Sequence, residues 1–275
     1  MISILIPTLN EADNLPACLA SVRWSDDIVV LDSGSTDHTK DIAHRLGATV
    51  INRAFDDWSS HQNWALENIQ FRHQWVLYLD ADERANEALR DELFRIALNP
   101  VEQRVAFYCG RRNYFMGRWL RHSFPPGAVL RFFRRGSVRF ERLVNPRPVI
   151  SGTHGYLSSL IDHYNFSKGI GEWVAKHNRY SDFEALEIVR GNAPLSWTAL
   201  FAEDAVARRA ALKALSTRLP ARPFLKFAYM YVYRRGFLDG AAGLTYCTLQ
   251  AMYEYLIVLK ARELRRCGRH EAPVS

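Results

Sequence analysis

The chain has 275 residues, 48% hydrophobic and 24% charged, enough to bury one substantial core plus a smaller appendage, which excludes disordered and fibrous classes. Its net charge of +7 is unevenly placed: residues 205–275 carry 13 basic and 4 acidic side chains, whereas the first 204 carry 23 and 25. Cys18, Cys109, Cys247 and Cys267 form no Cys-x-x-Cys pair and fit no zinc spacing, so reduced, non-catalytic thiols of a cytoplasmic protein are expected.

Residues 2–6 are apolar, lack a basic flank and run straight into Pro7, which predicts a buried first strand and no export signal. Asn10 can cap a helix reaching about Val22. A second strand over 27–31 leads into Asp32-Ser33-Gly34-Ser35-Thr36-Asp37, and a helix from Asp37 to about Leu46 is stopped by Gly47. A third strand (48–52), a helix (59–68), a fourth strand (75–79) ending at Asp80 and an amphipathic helix (87–98) follow. This alternation predicts an α/β fold with a mostly parallel sheet sandwiched by helices, whose ligands bind beyond the carboxyl ends of the strands.

Beyond residue 100 the pattern is less regular, with strands around 105–108 and 129–133 and an acceptor-side loop. A helix over 169–187 places Trp173 and Tyr180 seven apart, for core packing or for stacking on a sugar. Helical patterns dominate from Leu195. The expected organisation is a catalytic domain over 1–190, divided into a nucleotide-sugar half (1–100) and an acceptor-side half (101–190). A helical, basic C-terminal extension over 191–275 completes it.

Three polar clusters terminate predicted strands. Asp80-Ala81-Asp82-Glu83 offers two carboxylates that can jointly hold a hard divalent cation, or that simply complement a helix N-terminus in water. In Asp32 to Asp37, small residues and Gly34 permit a sharp turn that brings backbone N–H groups and Asp32 near a nucleotide, while Asp37 also suits a helix cap. In Pro7-Thr8-Leu9-Asn10-Glu11, Thr8 and Glu11 can touch a base or ribose, or Thr8 and Asn10 can serve as turn and cap residues.

In order and spacing, Ile-Pro-Thr-Leu-Asn-Glu, Val-Leu-Asp-Ser-Gly-Ser-Thr-Asp and Tyr-Leu-Asp-Ala-Asp-Glu resemble the family 2 inverting glycosyltransferases, whose fold is called GT-A. Residues 56–66, with His61-Gln62-Asn63-Trp64, resemble a signature of the branch containing lipopolysaccharide-core β-1,4-glucosyltransferases. The resemblance implies a nucleotide-sugar site lined by Pro7, Thr8, Glu11, Asp32, Ser33, Gln62, Asp80 and Ala81. It further implies Mg²⁺ or Mn²⁺ held by Asp82 with Asp80 and completed by His163, which alternatively orients the acceptor or is structural. Inversion needs a general base, and the branch often places a Val-His-Glu near residue 140. Here that stretch reads Phe140-Glu141-Arg142-Leu143, so Glu141 is the expected base, with a surface ion pair to Arg139 or Arg142 as its alternative.

The basic C-terminal quarter mixes aromatic residues with Arg and Lys. Residues 236–259 nearly reach the length of a membrane span, but Asp239, Gln250 and Glu254 interrupt them. Two readings stand: helices lying in the interface of an anionic bilayer, or core helices with solvated basic flanks. No nucleic-acid recognition motif accompanies the charge. The expected activity is metal-dependent, inverting transfer from a nucleotide-diphosphate sugar, with UDP-sugars favoured, to a glycolipid, lipopolysaccharide or exopolysaccharide acceptor. The expected location is peripheral, on the inner face of the cytoplasmic membrane. A polyprenyl-phosphate sugar synthase and a non-catalytic sugar-nucleotide-binding component are the alternatives.

Overall fold

The computed structural model describes residues 2–141, 147–190 and 221–267. The chain divides into two compact units, Met1–Trp119 with Pro125–Ser167 and Leu120–Phe124 with Lys168–Ser275.

The first unit is built on one mixed sheet. Strands β1 (Ile2–Thr8), β2 (Ile28–Asp32), β3 (Thr49–Asn52) and β4 (Trp75–Tyr78) pair in parallel in the order β3-β2-β1-β4. The predicted parallel core is therefore present, and the order reverses between β1 and β4, the switch point at whose carboxyl ends sheets of this kind bind ligands. The sheet continues through β8 (Ala128–Arg134), β6 (Ala106–Phe115) and β11 (His154–His163) to β5 (Glu83–Arg84). β8 runs antiparallel to β4 and β6, and β11 runs parallel to β6. The two-residue β5 pairs antiparallel with the end of β11, setting Glu83 opposite His163. β7 (Arg118–Trp119) pairs with the end of β6. A separate ribbon joins β9 (Val138–Glu141) to β10 (Arg147–Ile150).

Alternation along β1 shows why the sheet is covered on both faces. Ile2, Ile4 and Ile6 enter one core with Leu15 and Leu19 of α1 (Leu15–Ser21), Ile42 of α2 (Thr39–Arg45) and Leu89 and Leu93 of α4 (Glu87–Ala97). Leu5 points the other way, into a core with Val29, Val76 and Ala65 of α3 (Trp58–Asn68). The predicted helix from Asn10 starts later, at Leu15. Asn10 adopts φ +55°, and its side-chain oxygen accepts from Thr36 N at 2.8 Å. A long-range bond has displaced the local cap.

In the second unit, α5 (Gly169–Arg190) lies along α7 (Gly240–Cys267), where Lys260 Nζ pairs with Asp182 and with the carbonyl of Asn178, both at 2.7 Å. Helix 169–190 thus groups with the C-terminal region, whereas the sequence boundary at 190 assigned it to the catalytic domain. Between these helices in sequence stand α6 (Arg222–Ala228), a π-helical turn (Tyr229–Tyr233) and a 3₁₀ turn (Gly236–Asp239). Expected helices over 195–220 lie outside the described residues. Asp239 is buried and accepts from the backbone N–H groups of Arg121, His122 and Ser123, and from Ser123 Oγ. The acid that interrupts the apolar stretch therefore holds the Leu120–Phe124 return. Among the described residues, no helix is long and apolar enough to cross a membrane.

Candidate active site

The first two polar clusters interlock at the ends of β1 and β2. Asp32 is fully buried: one oxygen accepts from Gly34 N (3.0 Å) and Ser35 N (2.8 Å), the other from Ser35 Oγ (2.5 Å) and Thr8 Oγ1 (3.1 Å). Gly34 makes this turn at φ +95°, a conformation that suits glycine. Asp37 accepts from Thr39 at the start of α2 and from Ala12 N, and Glu11 accepts from Asn14 Nδ2 at 2.8 Å. Asp32 and Thr8 thus shape the crevice floor through each other, and Glu11 and Ser33 stand partly exposed at its rim.

Helix α3 closes the next side. Its cap is Asp57, whose side chain accepts from Ser60 N at 3.0 Å. Arg53, gripped by Asp56 at 2.9 and 2.6 Å, donates from Nη1 to His61 Nδ1 at 2.8 Å. That fixes the tautomer, so His61 Nε2 carries the hydrogen and faces Ser33 Oγ at 3.2 Å. Burial and the Arg53 charge lower the His61 pKa, keeping the ring neutral. Gln62 is buried and donates to the Tyr78 hydroxyl at 3.1 Å. Asn63 bonds both the N–H and the carbonyl of Phe140, each at 2.8 Å. The α3 signature therefore ties the turn after β2, strand β4 and the β9 ribbon to one helix, and a cation, Arg53, which the sequence reading missed, reaches this turn through His61.

The carboxylate cluster follows β4. Arg131, 8% exposed on β8, donates through Nη2 to Asp80 and to Glu83 Oε1, the latter at 2.9 Å, and lies 5.3 Å over the Tyr78 ring. Glu83 is completely buried, and its other oxygen accepts from Asp80 N at 3.0 Å. Burial raises the Glu83 pKa, with the Asp80 charge adding to it and Arg131 opposing. Burial alone would depress the guanidinium, but Asp80 and Glu83 outweigh it and hold Arg131 above its ordinary value. A charged residue inside the apolar run Val129–Phe133 has to find a buried partner, and that was the signal for Arg131.

Asp82 faces the other way, toward β11. Its Oδ2 lies 3.4 Å from His163 Nε2, while His163 Nδ1 sits 2.7 Å from Asn113 Oδ1 on β6. When Nδ1–H donates to the amide oxygen, the neutral ring presents its Nε2 lone pair to the carboxylate. Two acceptors facing each other with the imidazole oriented from behind form a donor set that fits a divalent cation. Among the described residues no group of three His, Cys, Asp or Glu side chains could hold a metal. Two protein ligands leave positions for diphosphate oxygens and water, as suits Mg²⁺. The expected set is thus divided: Asp82 and His163 come together, and Asp80 is engaged by Arg131.

Glu141, the expected base, is exposed at the end of β9 opposite Arg147, on the separate ribbon beside α3; residues 142–146, including Arg142, lie outside the described residues. Trp173 is buried with its ring stacked on His177 at 3.7 Å, and Tyr180 remains 44% exposed under Lys176. The core alternative therefore describes Trp173. Cys18, Cys109 and Cys247 are buried, and burial raises all three thiols above their ordinary range, which suits inert cysteines.

The family model described as glycosyl transferase family 2 matches residues 3–159, which contain Thr8, Asp32, Asp80, Asp82 and Arg131 and stop short of His163. The lipopolysaccharide core biosynthesis glycosyltransferase LpsC of Rhizobium meliloti is 30% identical over 215 residues, covering 73% of this chain and 76% of that protein. An uncharacterized glycosyltransferase of Rickettsia typhi is 25% identical across 98% of this chain and 89% of its own length. Among solved structures, glucosyl-3-phosphoglycerate synthase from Mycobacterium tuberculosis, in complex with Mn²⁺, UDP-glucose and phosphoglyceric acid, is 23% identical. It overlaps 42% of this chain and 44% of that one with a TM-score of 0.33, too partial an overlap for ligands to be transferred from it.

Proposed function

The chain belongs to glycosyl transferase family 2, and from that premise we propose that it transfers a sugar, with inversion, from a nucleotide-diphosphate donor to a lipopolysaccharide or other glycolipid acceptor. The observation that carries the reading is the Asp82–His163 pair, two acceptors 3.4 Å apart with Asn113 holding the imidazole hydrogen on the far side. A divalent cation bound there supplies neutralisation of the charge that develops on the departing diphosphate.

The chain's own residues do the rest. The Thr8–Asp32 turn and Glu11 form the nucleotide floor. Arg131 orients Asp80, leaving its part-exposed carboxylate edge for the ribose, while Gln62 and Tyr78 fix the wall behind it. Ser33 and His61 close the turn toward the donor. Glu141 takes the acceptor hydroxyl proton during in-line attack. A lipid-linked acceptor brings the protein to the inner face of the cytoplasmic membrane as a peripheral enzyme, which the LpsC likeness supports through the acceptor class in that protein's name.

A thermal-shift screen with UDP-, GDP- and dTDP-sugars, with and without Mn²⁺, tests the donor half. The expected result is metal-dependent stabilisation by one nucleotide series, and slow metal-dependent hydrolysis of the same sugar that Asp82→Ala abolishes. Absence of both effects for every donor sinks the reading.

A further inference from the structure

Helix α6 and the π-helical turn after it bury Met230 but turn much of their apolar surface outward. In a solvent-facing amphipathic helix the apolar stripe packs inward and the charges face water. Here Phe224, Leu225, Tyr229, Val232 and Tyr233 all face outward, with Phe224, Val232 and Tyr233 exposed by 78, 62 and 79%. The helix's own charges point in: Arg222 pairs with Glu254 of α7 at 2.7 Å, both side chains nearly buried, and Lys226 approaches the same carboxylate at 3.9 Å. The wider π-helical turn keeps the stripe in line, stacking the Tyr229 and Tyr233 rings at 5.5 Å. Helix α7 buries Ala242, Tyr246, Cys247 and Ile257 on one side and exposes Leu244, Thr248, Met252, Tyr255 and Leu259 at three- and four-residue spacing along another.

Charge decides what such a face meets. Arg234 lies at its edge with its guanidinium 5.8 Å over Tyr229, and Arg235 is exposed beside it. Arg262, Arg265 and Arg266 are exposed at the end of α7. Of the acids between 222 and 267, Asp239 is buried and saturated and Glu254 is paired, leaving Glu263 exposed. A second copy presenting the same face would set cations against cations.

We propose that the outward stripe of residues 224–233, together with the exposed side of α7, is a docking surface for an anionic bilayer, with aromatic and aliphatic side chains at the acyl boundary and arginines among the headgroups. It deepens the peripheral-membrane part of the proposed function and rests on that reading. The association is in the plane of the interface, roughly 5–10 Å deep, because no described helix can cross. The inward charges make sense on this surface: the apolar side faces hydrocarbon and Arg222 stays bonded inside the unit.

The test is co-sedimentation of the full chain with phosphatidylcholine vesicles containing about one-third phosphatidylglycerol, against neutral phosphatidylcholine vesicles, at low and high salt. Binding at least tenfold tighter to the anionic vesicles, weakened by salt, is expected. Phe224→Ser/Val232→Ser/Tyr233→Ser should lower it a further tenfold or more without changing the melting temperature or nucleotide-sugar hydrolysis. Absence of wild-type binding, or undiminished binding by the triple variant, overturns the proposal. So does a dimer in sedimentation velocity that the triple variant dissociates while vesicle binding persists, since the face would then be a contact between copies. Hydrolysis is read separately, so a failed donor assay sinks the transferase reading and leaves the vesicle result standing.

Discussion

Arg131 and Asp80 form an ion pair across two strands, and the same Arg131 Nη2 reaches the buried Glu83 at 2.9 Å. Asp80 is partly open to water and Glu83 is completely buried, so the guanidinium matters most for Glu83. Replacing Arg131 with Met leaves the buried Glu83 carboxylate with only the longer Arg111 contact at 3.7 Å, at a cost of roughly 3–5 kcal/mol. Adding Glu83→Gln removes the stranded charge and should restore most of that loss, whereas Asp80→Asn should restore little. Denaturant unfolding of the wild type, the three single variants and the two double variants measures it. Additive single and double effects would show that Arg131 acts through packing alone.

The division of the aspartates predicts unequal metal phenotypes. Asp82→Asn and His163→Ala should abolish tight Mn²⁺ binding in the presence of UDP, and Asn113→Ala should weaken it roughly 10–100-fold by freeing the imidazole. Asp80→Asn should leave Mn²⁺ affinity nearly unchanged while raising the donor KM. Electron paramagnetic resonance of free Mn²⁺ reads the affinities directly. An equal loss in the Asp80 and Asp82 variants would place both carboxylates on the metal.

Glu141 is an exposed carboxylate on a ribbon held by Asn63. If it takes the acceptor proton, Glu141→Gln should lower kcat roughly 10²- to 10⁴-fold with the donor KM unchanged. Retained kcat would remove it from the mechanism.

His61 gives a pH dependence whose sign is fixed by its surroundings. Burial and then Arg53 hold its folded pKa below the ordinary value, so folding favours the neutral ring. Its contribution to stability is complete above about pH 6.5, the unfolded value, and is lost as the pH falls from there through the folded value. Melting temperatures between pH 7.5 and 5 should therefore fall more for the wild type than for His61→Gln. Parallel curves would mean that protonation is accommodated without cost.

The geometry around Asp32 was readable because it is local. Thr8, Asp32 and Asp80 each end a continuous apolar strand, and Gly34 announces the turn that Asp32 organises. What escaped depends on strands distant in the chain. Arg131 meets Asp80 only because β8 inserts antiparallel beside β4, and Asn113 meets His163 only through the β6–β11 pairing. No periodicity at Asn113 hints at a partner 50 residues away. Asn10 misled for the same reason: its cap-like side chain serves Thr36, a bond that local propensity does not count. Reading Asp239 and Glu254 only as interruptions of an apolar stretch missed that each is the centre of a bonded cluster.

The Asp239 cluster bears on how freely the two units can be recombined. Leu120–Phe124 leaves the sheet unit and returns to it within five residues, and its N–H groups are satisfied by a carboxylate more than a hundred residues later. A chain cut after Ser167 would keep the return and lose its acceptor. Grafting a foreign tail onto the sheet would fail at the same place unless the tail carried an equivalent acid. The C-terminal unit is therefore discontinuous in the chain, and any transplant of it has to carry the 120–124 return along.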